Sequence, residues 1–233
     1  MSLLTGHLQE KVVDFFFPRR CIGCGKVGDF LCVDCRQKLP RILKPICKKC
    51  GKPESSGTLC SACWGQKTEI DGIRSVFRFE GIIRQAIHDL KYRNLKSISG
   101  CLAMLIADYL QDNPVHGGVL VPVPLHSQRL RERGYNQSGL LVRELGKLIV
   151  LPVIDDSLCR LKDSLPQART TTIDERRKNV KEAFACQGEE LKEKNVILID
   201  DVCTSGATLE ACAVALKAGG AISVWGLTLA REI

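Results

Sequence analysis

Short apolar runs alternate with helical patterns through most of the chain after about residue 69. The runs are rich in valine, isoleucine and leucine, which favours buried strands, and the segments between them repeat apolar residues every three or four positions, which favours helices. The predicted strands cover 72–79, 119–123, 158–161, 196–199 and 221–229, and the predicted helices cover 82–92, 101–110, 139–150 and 208–217. This alternation predicts an α/β fold with a mainly parallel sheet flanked by helices.

The first 20 residues carry a separate helical pattern that runs up to Pro18. A helix ends at or before the residue that precedes a proline. We therefore expect a short amphipathic helix whose apolar face packs on the main domain. A membrane-surface role is the alternative, but Glu10, Asp14 and the lack of a strongly basic face favour packing.

The composition is that of a folded, soluble protein, since 45% of the residues are apolar and 26% are charged. This mixture excludes an intrinsically disordered chain. The sequence has no run of 18 apolar residues and no signal-peptide pattern. These two observations predict a cytoplasmic protein without a transmembrane segment.

Thirteen cysteines are present, and eight of them form four C-x-x-C pairs. In a reducing cytosol such pairs are typical of zinc ligands, and eight thiolates suit two tetrahedral structural zinc ions with no open coordination position. The predicted ligands are Cys21, Cys24, Cys32, Cys35, Cys47, Cys50, Cys60 and Cys63. Pairing in chain order is the simplest arrangement, and an interleaved pairing stays open. An iron–sulfur cluster is less favoured because no C-x-x-C-x-x-C run occurs.

These ligands define a cysteine-rich zinc module over residues 21–68, between the helix of residues 1–20 and a main domain over residues 69–233. The formal net charge of the chain is +8, and residues 1–68 hold 12 Lys and Arg against 5 Asp and Glu. A zinc ion held by four thiolates carries a charge of −2, so two ions reduce the surplus of this segment to about +3. Net charge alone is therefore weak support for nucleic-acid binding. The other five cysteines are expected to be buried and unreactive, and they are Cys101, Cys159, Cys186, Cys203 and Cys212.

A hydroxyl-rich loop joins the apolar strand at 196–199 to the helix at 208–217. Backbone N–H groups at the start of a helix bind anions, and nearby hydroxyl groups add donors for phosphate oxygens. The residues assigned to phosphate are Thr204, Ser205, Gly206, Ala207 and Thr208. Asp200 and Asp201 come just before them and would repel a phosphate. The two carboxylates are therefore predicted to accept hydrogen bonds from ribose hydroxyls, directly or through Mg²⁺, as the catalytic pair.

Three arginines follow the predicted strand at 119–123, namely Arg129, Arg131 and Arg133. Guanidinium groups match pyrophosphate oxygens, and the segment that follows a parallel strand lies where such sheets bind ligands. The sequence therefore predicts a pyrophosphate-binding loop here, with His126 as a further candidate contact.

The strand, acidic pair and T-S-G-A-T loop resemble the signature of the type I phosphoribosyltransferases, which bind 5-phosphoribosyl-1-pyrophosphate with Mg²⁺. Together with V-P-V-P-L-H, R-x-R-x-R-G-Y-N-Q and the L-K-Y of residues 90–92, nearly the whole chain closely resembles the ComF family. That family joins an N-terminal cysteine-ligated zinc module to a phosphoribosyltransferase domain, which glutamine phosphoribosylpyrophosphate amidotransferase shares more distantly. The resemblance implies a role in natural competence, on internalised single-stranded DNA beside a helicase-like ATPase.

Direct contact with single-stranded DNA has mixed support in the sequence. Residues 160–181 hold seven Lys and Arg against three Asp and Glu, but a solvated helix face with a flexible loop is an equally good interpretation. Stacking aromatics are scarce, and Tyr92, Tyr135 and Trp64 are the best placed. Two other function classes stay open, a metabolic phosphoribosyltransferase for a base or amine and a non-catalytic zinc-ribbon adaptor.

Overall fold

A computed structural model describes residues 18–161 and 183–233. The helices are α1 (Val33–Gln37), α2 (Gly81–Tyr92), α3 (Ser99–Asp112), α4 (Ser127–Arg133), α5 (Gln137–Ile149) and α6 (Ala207–Ala218). The strands are β1 (Gly72–Arg78), β2 (Val119–Pro122), β3 (Leu158–Arg160), β4 (Phe184–Cys186), β5 (Asn195–Cys203) and β6 (Ser223–Arg231). A short 3₁₀ turn, Lys96–Ile98, joins α2 to α3.

Four of these strands form a parallel sheet in the order β1, β6, β5, β2. Successive residues of a strand point to opposite faces, so each strand feeds two apolar layers. Val196 and Leu198 pack in the layer with α6, whereas Ile197 and Ile199 pack in the layer with α2, α3 and α5. The α/β class, the mainly parallel sheet and its flanking helices are confirmed.

The remaining strands, β3 and β4, form a separate antiparallel pair. Leu158 and Phe184 from this pair are buried in the same apolar layer as α6. The pair therefore covers part of one face of the sheet.

The segment of residues 18–68 lies along the free edge of β1. The N–H of Ile42 donates to the carbonyl of Val76 at 3.1 Å, and the N–H of Arg78 donates to the carbonyl of Pro40 at 2.8 Å. The N–H of Ile73 donates in turn to the carbonyl of Lys49 at 2.7 Å. This edge of the sheet is therefore hydrogen-bonded to the cysteine module rather than open to solvent.

The structure differs from the sequence predictions most clearly in four elements. The strand predicted at 196–199 continues to Cys203, because the residues after Ile199 still pair with β6. The arginine segment expected to be a loop is the helix α4, whose residues have high helix propensity. Helix α1 and strand β4 were not predicted, and each is at most five residues long.

Two predicted segments lie wholly or partly outside the described residues. They are the helix of residues 1–20 and the basic stretch of residues 160–181. The domain boundaries at residues 20/21 and 68/69 stay predictions.

Candidate functional site

The carboxyl ends of β2 and β5 meet at one edge of the sheet, because the two strands are parallel neighbours. Ligands of open α/β sheets bind at this kind of edge. Strand β5 carries Asp200 and Asp201 near its carboxyl end. It leads into residues 204–208 at the start of α6, here called the 204–208 loop. Strand β2 leads into α4 and α5. The predicted ribose-, phosphate- and pyrophosphate-binding segments are thus all positioned by the same edge.

The 204–208 loop opens α6 with its hydroxyl groups toward solvent. Thr204, Ser205 and Thr208 are exposed, and Ser205 Oγ accepts the N–H of Ala207 at 3.3 Å. Gly206 has φ +86°, in the left-handed region that favours glycine, and a Cβ there would stand 3.0 Å from Ile73 Cδ1. Glycine therefore lets the backbone turn tightly above β1, and the exposed hydroxyls stand at the N-terminus of α6, the kind of helix end that binds anions.

Asp200 lies half-buried beside the start of α5. Its Oδ1 accepts the hydroxyl of Ser138 at 2.9 Å and the N–H of Asp201, also at 2.9 Å. Burial, together with the negative charge of Asp201, raises the pKa of the Asp200 carboxyl well above its usual range. An ionised Asp200 therefore needs a cation or hydrogen-bond donors at this position.

Asp201 is 3% exposed and has two partners from other elements. Gln137 Nε2 donates to its Oδ1 at 3.1 Å, and Lys91 Nζ forms an ion pair with its Oδ2. The guanidinium of Arg133 donates to Gln137 Oε1. A continuous polar chain therefore links α4, α5, β5 and the last turn of α2.

The arginines of α4 divide between two sides of the helix. Arg129 and Arg133, four residues apart, line a 520 Å³ cleft, whereas Arg131 is exposed and does not line it. The cleft, called the basic cleft below, also receives Lys91, Lys96, Glu132 and the tyrosines Tyr92 and Tyr135. Four cations face one carboxylate, which suits a ligand of high negative charge.

Tyrosines shape the wall of the basic cleft. Tyr92 is 68% exposed, and the guanidinium of Arg133 lies 5.4 Å from the centre of its ring. Tyr135 is buried, its hydroxyl donates to the carbonyl of Leu90, and Lys96 Nζ lies 4.6 Å from its ring centre. Tyr92 is thus the aromatic face that a ligand can reach. His126 caps α4 instead, since its Nδ1 accepts the N–H of Gln128 at 3.1 Å.

The four C-x-x-C pairs form two separate four-cysteine sites in chain order. The first site is Cys21, Cys24, Cys32 and Cys35, and the second site is Cys47, Cys50, Cys60 and Cys63. In each site the four sulfur atoms lie within 4.8 Å of one another. The Cys21–Cys32 and Cys50–Cys60 sulfur pairs are both 3.7 Å apart. Tetrahedral zinc with bonds of about 2.3 Å places sulfur atoms about 3.8 Å apart, so both sites fit structural zinc.

Backbone donors support equivalent sulfurs in the two sites. The N–H of Cys32 points at Cys21 Sγ at 3.4 Å, and the N–H of Cys60 points at Cys47 Sγ at 3.3 Å. Burial raises the pKa of both thiols, but these and neighbouring backbone donors outweigh it and lower the pKa of Cys21 and Cys47 to about 6. Each site therefore favours at least one thiolate, the form that binds zinc.

The five other cysteines are free thiols outside the two sites. Cys203 and Cys212 are buried as predicted, and burial raises the pKa of both thiols. Cys101, Cys159 and Cys186 are only partly buried.

Lys91, Gln137 and Ser138 were not predicted as site residues from their chemistry. Each contacts the acidic pair from another element, and no local pattern in the sequence reports such a contact. Lys91 and Gln137 were present only as letters of the L-K-Y and Y-N-Q strings, and Ser138 lies just after the second string.

Comparisons with known proteins identify a matching family model and similar proteins. Residues 12–68 match the family model of the double zinc ribbon domain. The chain is 31% identical to competence protein ComFC of Bacillus subtilis over 89% of this chain and 86% of that protein. It is also 31% identical to competence protein F of Haemophilus influenzae over 92% of this chain and 99% of that protein.

Among solved structures, the chain is similar to glutamine phosphoribosylpyrophosphate amidotransferase of B. subtilis complexed with ADP and GMP. That match has a TM-score of 0.42 and 17% identity, and it covers 57% of this chain and 26% of that one. In the described parts of the chain, every helix is too short or too polar to cross a membrane.

Proposed function

The chain belongs to the ComF family of competence proteins, and on that premise we propose that it binds 5-phosphoribosyl-1-pyrophosphate with Mg²⁺ and acts in natural competence on internalised single-stranded DNA. One observation carries the ligand assignment. Strand β5 ends in two carboxylates and continues into a hydroxyl-rich loop at a helix N-terminus, at the ligand-binding edge of a parallel sheet.

Each part of the ligand has a suitable partner at this edge. The 204–208 loop takes the 5-phosphate, and Asp200, at the rim, takes the ribose hydroxyls. Asp201 is buried and engaged, so we assign it to holding Lys91 and Gln137 in place. We assign the pyrophosphate to the basic cleft, which Arg129 and Arg133 line.

A transfer reaction at this site breaks the bond between ribose C1 and the pyrophosphate oxygen, and the electron pair leaves with pyrophosphate. An acceptor nucleophile then bonds to C1 and gives up its proton to the released pyrophosphate or to solvent. Mg²⁺ bound with the pyrophosphate would supply charge neutralisation. The arginines of α4 stabilise the leaving group, and the Asp200 carboxylate stabilises positive charge that develops on the ribose ring.

Calorimetric titration of the zinc-replete protein with phosphoribosyl pyrophosphate and Mg²⁺ tests the ligand. We expect saturable binding at one site, and at least a tenfold loss of affinity in Asp200→Asn combined with Asp201→Asn. The matched control is Asp155→Asn, which removes a surface carboxylate that pairs with Arg143 at 2.7 Å. No binding by the wild type would overturn the proposal and leave a non-catalytic adaptor. Pyrophosphate release with a free base or amine would instead favour a metabolic phosphoribosyltransferase.

The basic cleft supports single-stranded DNA as the partner substrate. Tyr92 offers an exposed aromatic face among basic groups, which is the pattern that single strands bind by stacking and phosphate contacts. The helicase-like ATPase partner and the cytoplasmic location stay predictions from the family resemblance.

Fluorescence anisotropy with a labelled oligothymidylate, at several salt concentrations, tests this contact. Stacking contributes about 1–3 kcal/mol per base, so Tyr92→Ala should weaken binding at least fivefold. Trp64→Ala is the control, since Trp64 is 74% exposed but lies in the cysteine module outside the cleft. Equal losses in the two variants, or none, would contradict a DNA contact in the cleft.

A further inference from the structure

Arg231 is a charged residue in the interior of the molecule. It ends β6, is 0% exposed, and pairs in register with Cys203, the last residue of β5. Its guanidinium donates to the carbonyl of Cys50, and Nη2 lies 3.2 Å from Cys203 Sγ. Within the described chain, Arg231 forms no ion pair with an Asp or Glu. A guanidinium in this position needs a compensating negative charge nearby.

The second four-cysteine site supplies that charge when it holds zinc. Cys50 is one of its ligands, so the carbonyl that Arg231 contacts belongs to the metal site itself. A zinc ion with four thiolates carries a net charge of −2. Loss of this zinc would remove most of this negative charge and leave the buried guanidinium of Arg231 without full compensation, which is costly.

A second route joins the same zinc site to the 204–208 loop through Ile73 of β1. The N–H of Ile73 donates to the carbonyl of Lys49, between the ligands Cys47 and Cys50. A Cβ on Gly51 would overlap the carbonyl oxygen of Ile73. The side chain of Ile73 in turn stands under Gly206 of the loop. The second site thus contacts Ile73, which lies beneath the loop, directly, and it reaches Cys203, which precedes the loop, through Arg231.

The first four-cysteine site packs elsewhere. A Cβ on Gly23 would stand 2.7 Å from Ile82 Cδ1 at the start of α2, and Arg36 pairs with Asp108 of α3 at 3.4 Å. Its contacts are therefore with the helices on one face of the sheet. This difference makes the first site an internal control for the second.

We propose that Arg231 is a positioning residue that couples zinc in the second four-cysteine site to the 204–208 loop, so that zinc and the phosphoribosyl ligand bind cooperatively. The ligand half of this inference rests on the proposed function. Arg231 counterbalances the zinc thiolates through Cys50 and fixes the end of β5 through Cys203. Thermodynamic linkage makes the effect reciprocal, so the ligand tightens the second zinc site as the zinc tightens the ligand.

Zinc release to a chromophoric chelator tests the zinc half without any ligand. The fully loaded wild type releases two ions, and a Cys24→Ser protein, which lacks a first-site ligand, identifies the second-site phase. We expect Arg231→Met to speed second-site release at least tenfold and to leave first-site release unchanged. Arg36→Met is the matched control beside the first site and should leave the second phase unchanged. Equal second-site rates in wild type and Arg231→Met would overturn the coupling.

Saturating phosphoribosyl pyrophosphate with Mg²⁺ tests the ligand half on the same proteins. The ligand should slow second-site release at least threefold in the wild type and not in Arg231→Met. Arg231→Lys covers the case in which the methionine variant does not fold, since it keeps the charge but loses the paired N–H donors. It should retain zinc better than the methionine variant and still lose the ligand effect. If the ligand binds by calorimetry but does not slow zinc release, the ligand half of the inference is overturned. If the wild type binds no ligand, the proposed function is overturned, and the chelator experiment alone decides the zinc half.

Discussion

Neighbouring aspartates on β5 have different surroundings, and the proposed function gives them different roles. Asp200 stands at the rim with Ser138 as its side-chain partner, while Asp201 is buried against Lys91 and Gln137. An acidic pair in a sequence suggests two carboxylates with equivalent binding roles. At this edge, one carboxylate is available to a ligand and the other organises the wall behind it.

Lys91→Met should lower the free energy of unfolding by about 1–3 kcal/mol, because it leaves the buried Asp201 carboxylate without its cation. Urea denaturation measures this change. Adding Asp201→Asn to the variant should restore part of the loss, since the uncompensated charge is then gone. Strictly additive losses in the double variant would show that the pair is not coupled.

The raised pKa of Asp200 predicts a pH-dependent stability. A carboxyl whose pKa is higher in the folded than in the unfolded protein holds its proton more tightly when folded, so its contribution to stability is lost as pH rises from the ordinary carboxyl range toward the raised value. Between pH 5 and pH 8, without Mg²⁺, the wild type should lose more unfolding free energy than Asp200→Asn. Urea titrations of both proteins at the two pH values measure the difference, and parallel losses would contradict the shift.

Local patterns predicted the elements well where the chain itself carries the signal. Four consecutive apolar residues identified β5, but its extension through Asp200 to Cys203 depends on pairing with β6, which no local pattern shows. The 204–208 loop was predictable because its parts are contiguous. Lys91 and Arg231 were not, because each meets its partner only after distant elements pack together.

Gly206→Ala tests how far the 204–208 loop depends on its backbone. The left-handed φ costs about 1–2 kcal/mol for alanine, and the added Cβ also crowds Ile73. Gly188→Ala is a matched control, since Gly188 has φ +71° and open space around its Cβ position. The left-handed backbone should cost both variants a similar amount of stability. Only Gly206→Ala should lower the affinity for phosphoribosyl pyrophosphate, by tenfold or more. Equal affinities by calorimetry would show that the loop does not bind the ligand.

On the scale of the whole molecule, the two zinc sites support different parts of the main domain. The first site carries Leu31 and Leu39 into the apolar layer with α2 and α3. The second site lies against β1 and the ends of β5 and β6. The cysteine module therefore packs into the apolar core on one side and lies against the carboxyl-end edge of the sheet on the other.

A glycine follows the second cysteine of each zinc site, and the two glycines allow the contacts of the two sites to be tested separately. Gly25 and Gly51 both have left-handed φ, but only a Cβ on Gly51 meets another element, the carbonyl of Ile73. Gly51→Ala should therefore lower the thermal midpoint several degrees more than Gly25→Ala, measured by differential scanning calorimetry on zinc-loaded protein. Equal thermal midpoints in the two variants would mean that the close contact between Gly51 and β1 does not affect stability.

The covered edge of β1 also sets an order of events during translation. The residues that bond its outer edge, around Pro40 and Ile42, leave the ribosome just before β1, whereas β6, its partner on the other side, follows all the other described strands. Until β6 has been synthesised, β1 can form its edge hydrogen bonds with the cysteine module. A nascent chain short of zinc therefore presents this strand with both edges open, the state in which strands pair with other chains and aggregate. We therefore expect zinc supply to affect how much of this protein a cell obtains in soluble form.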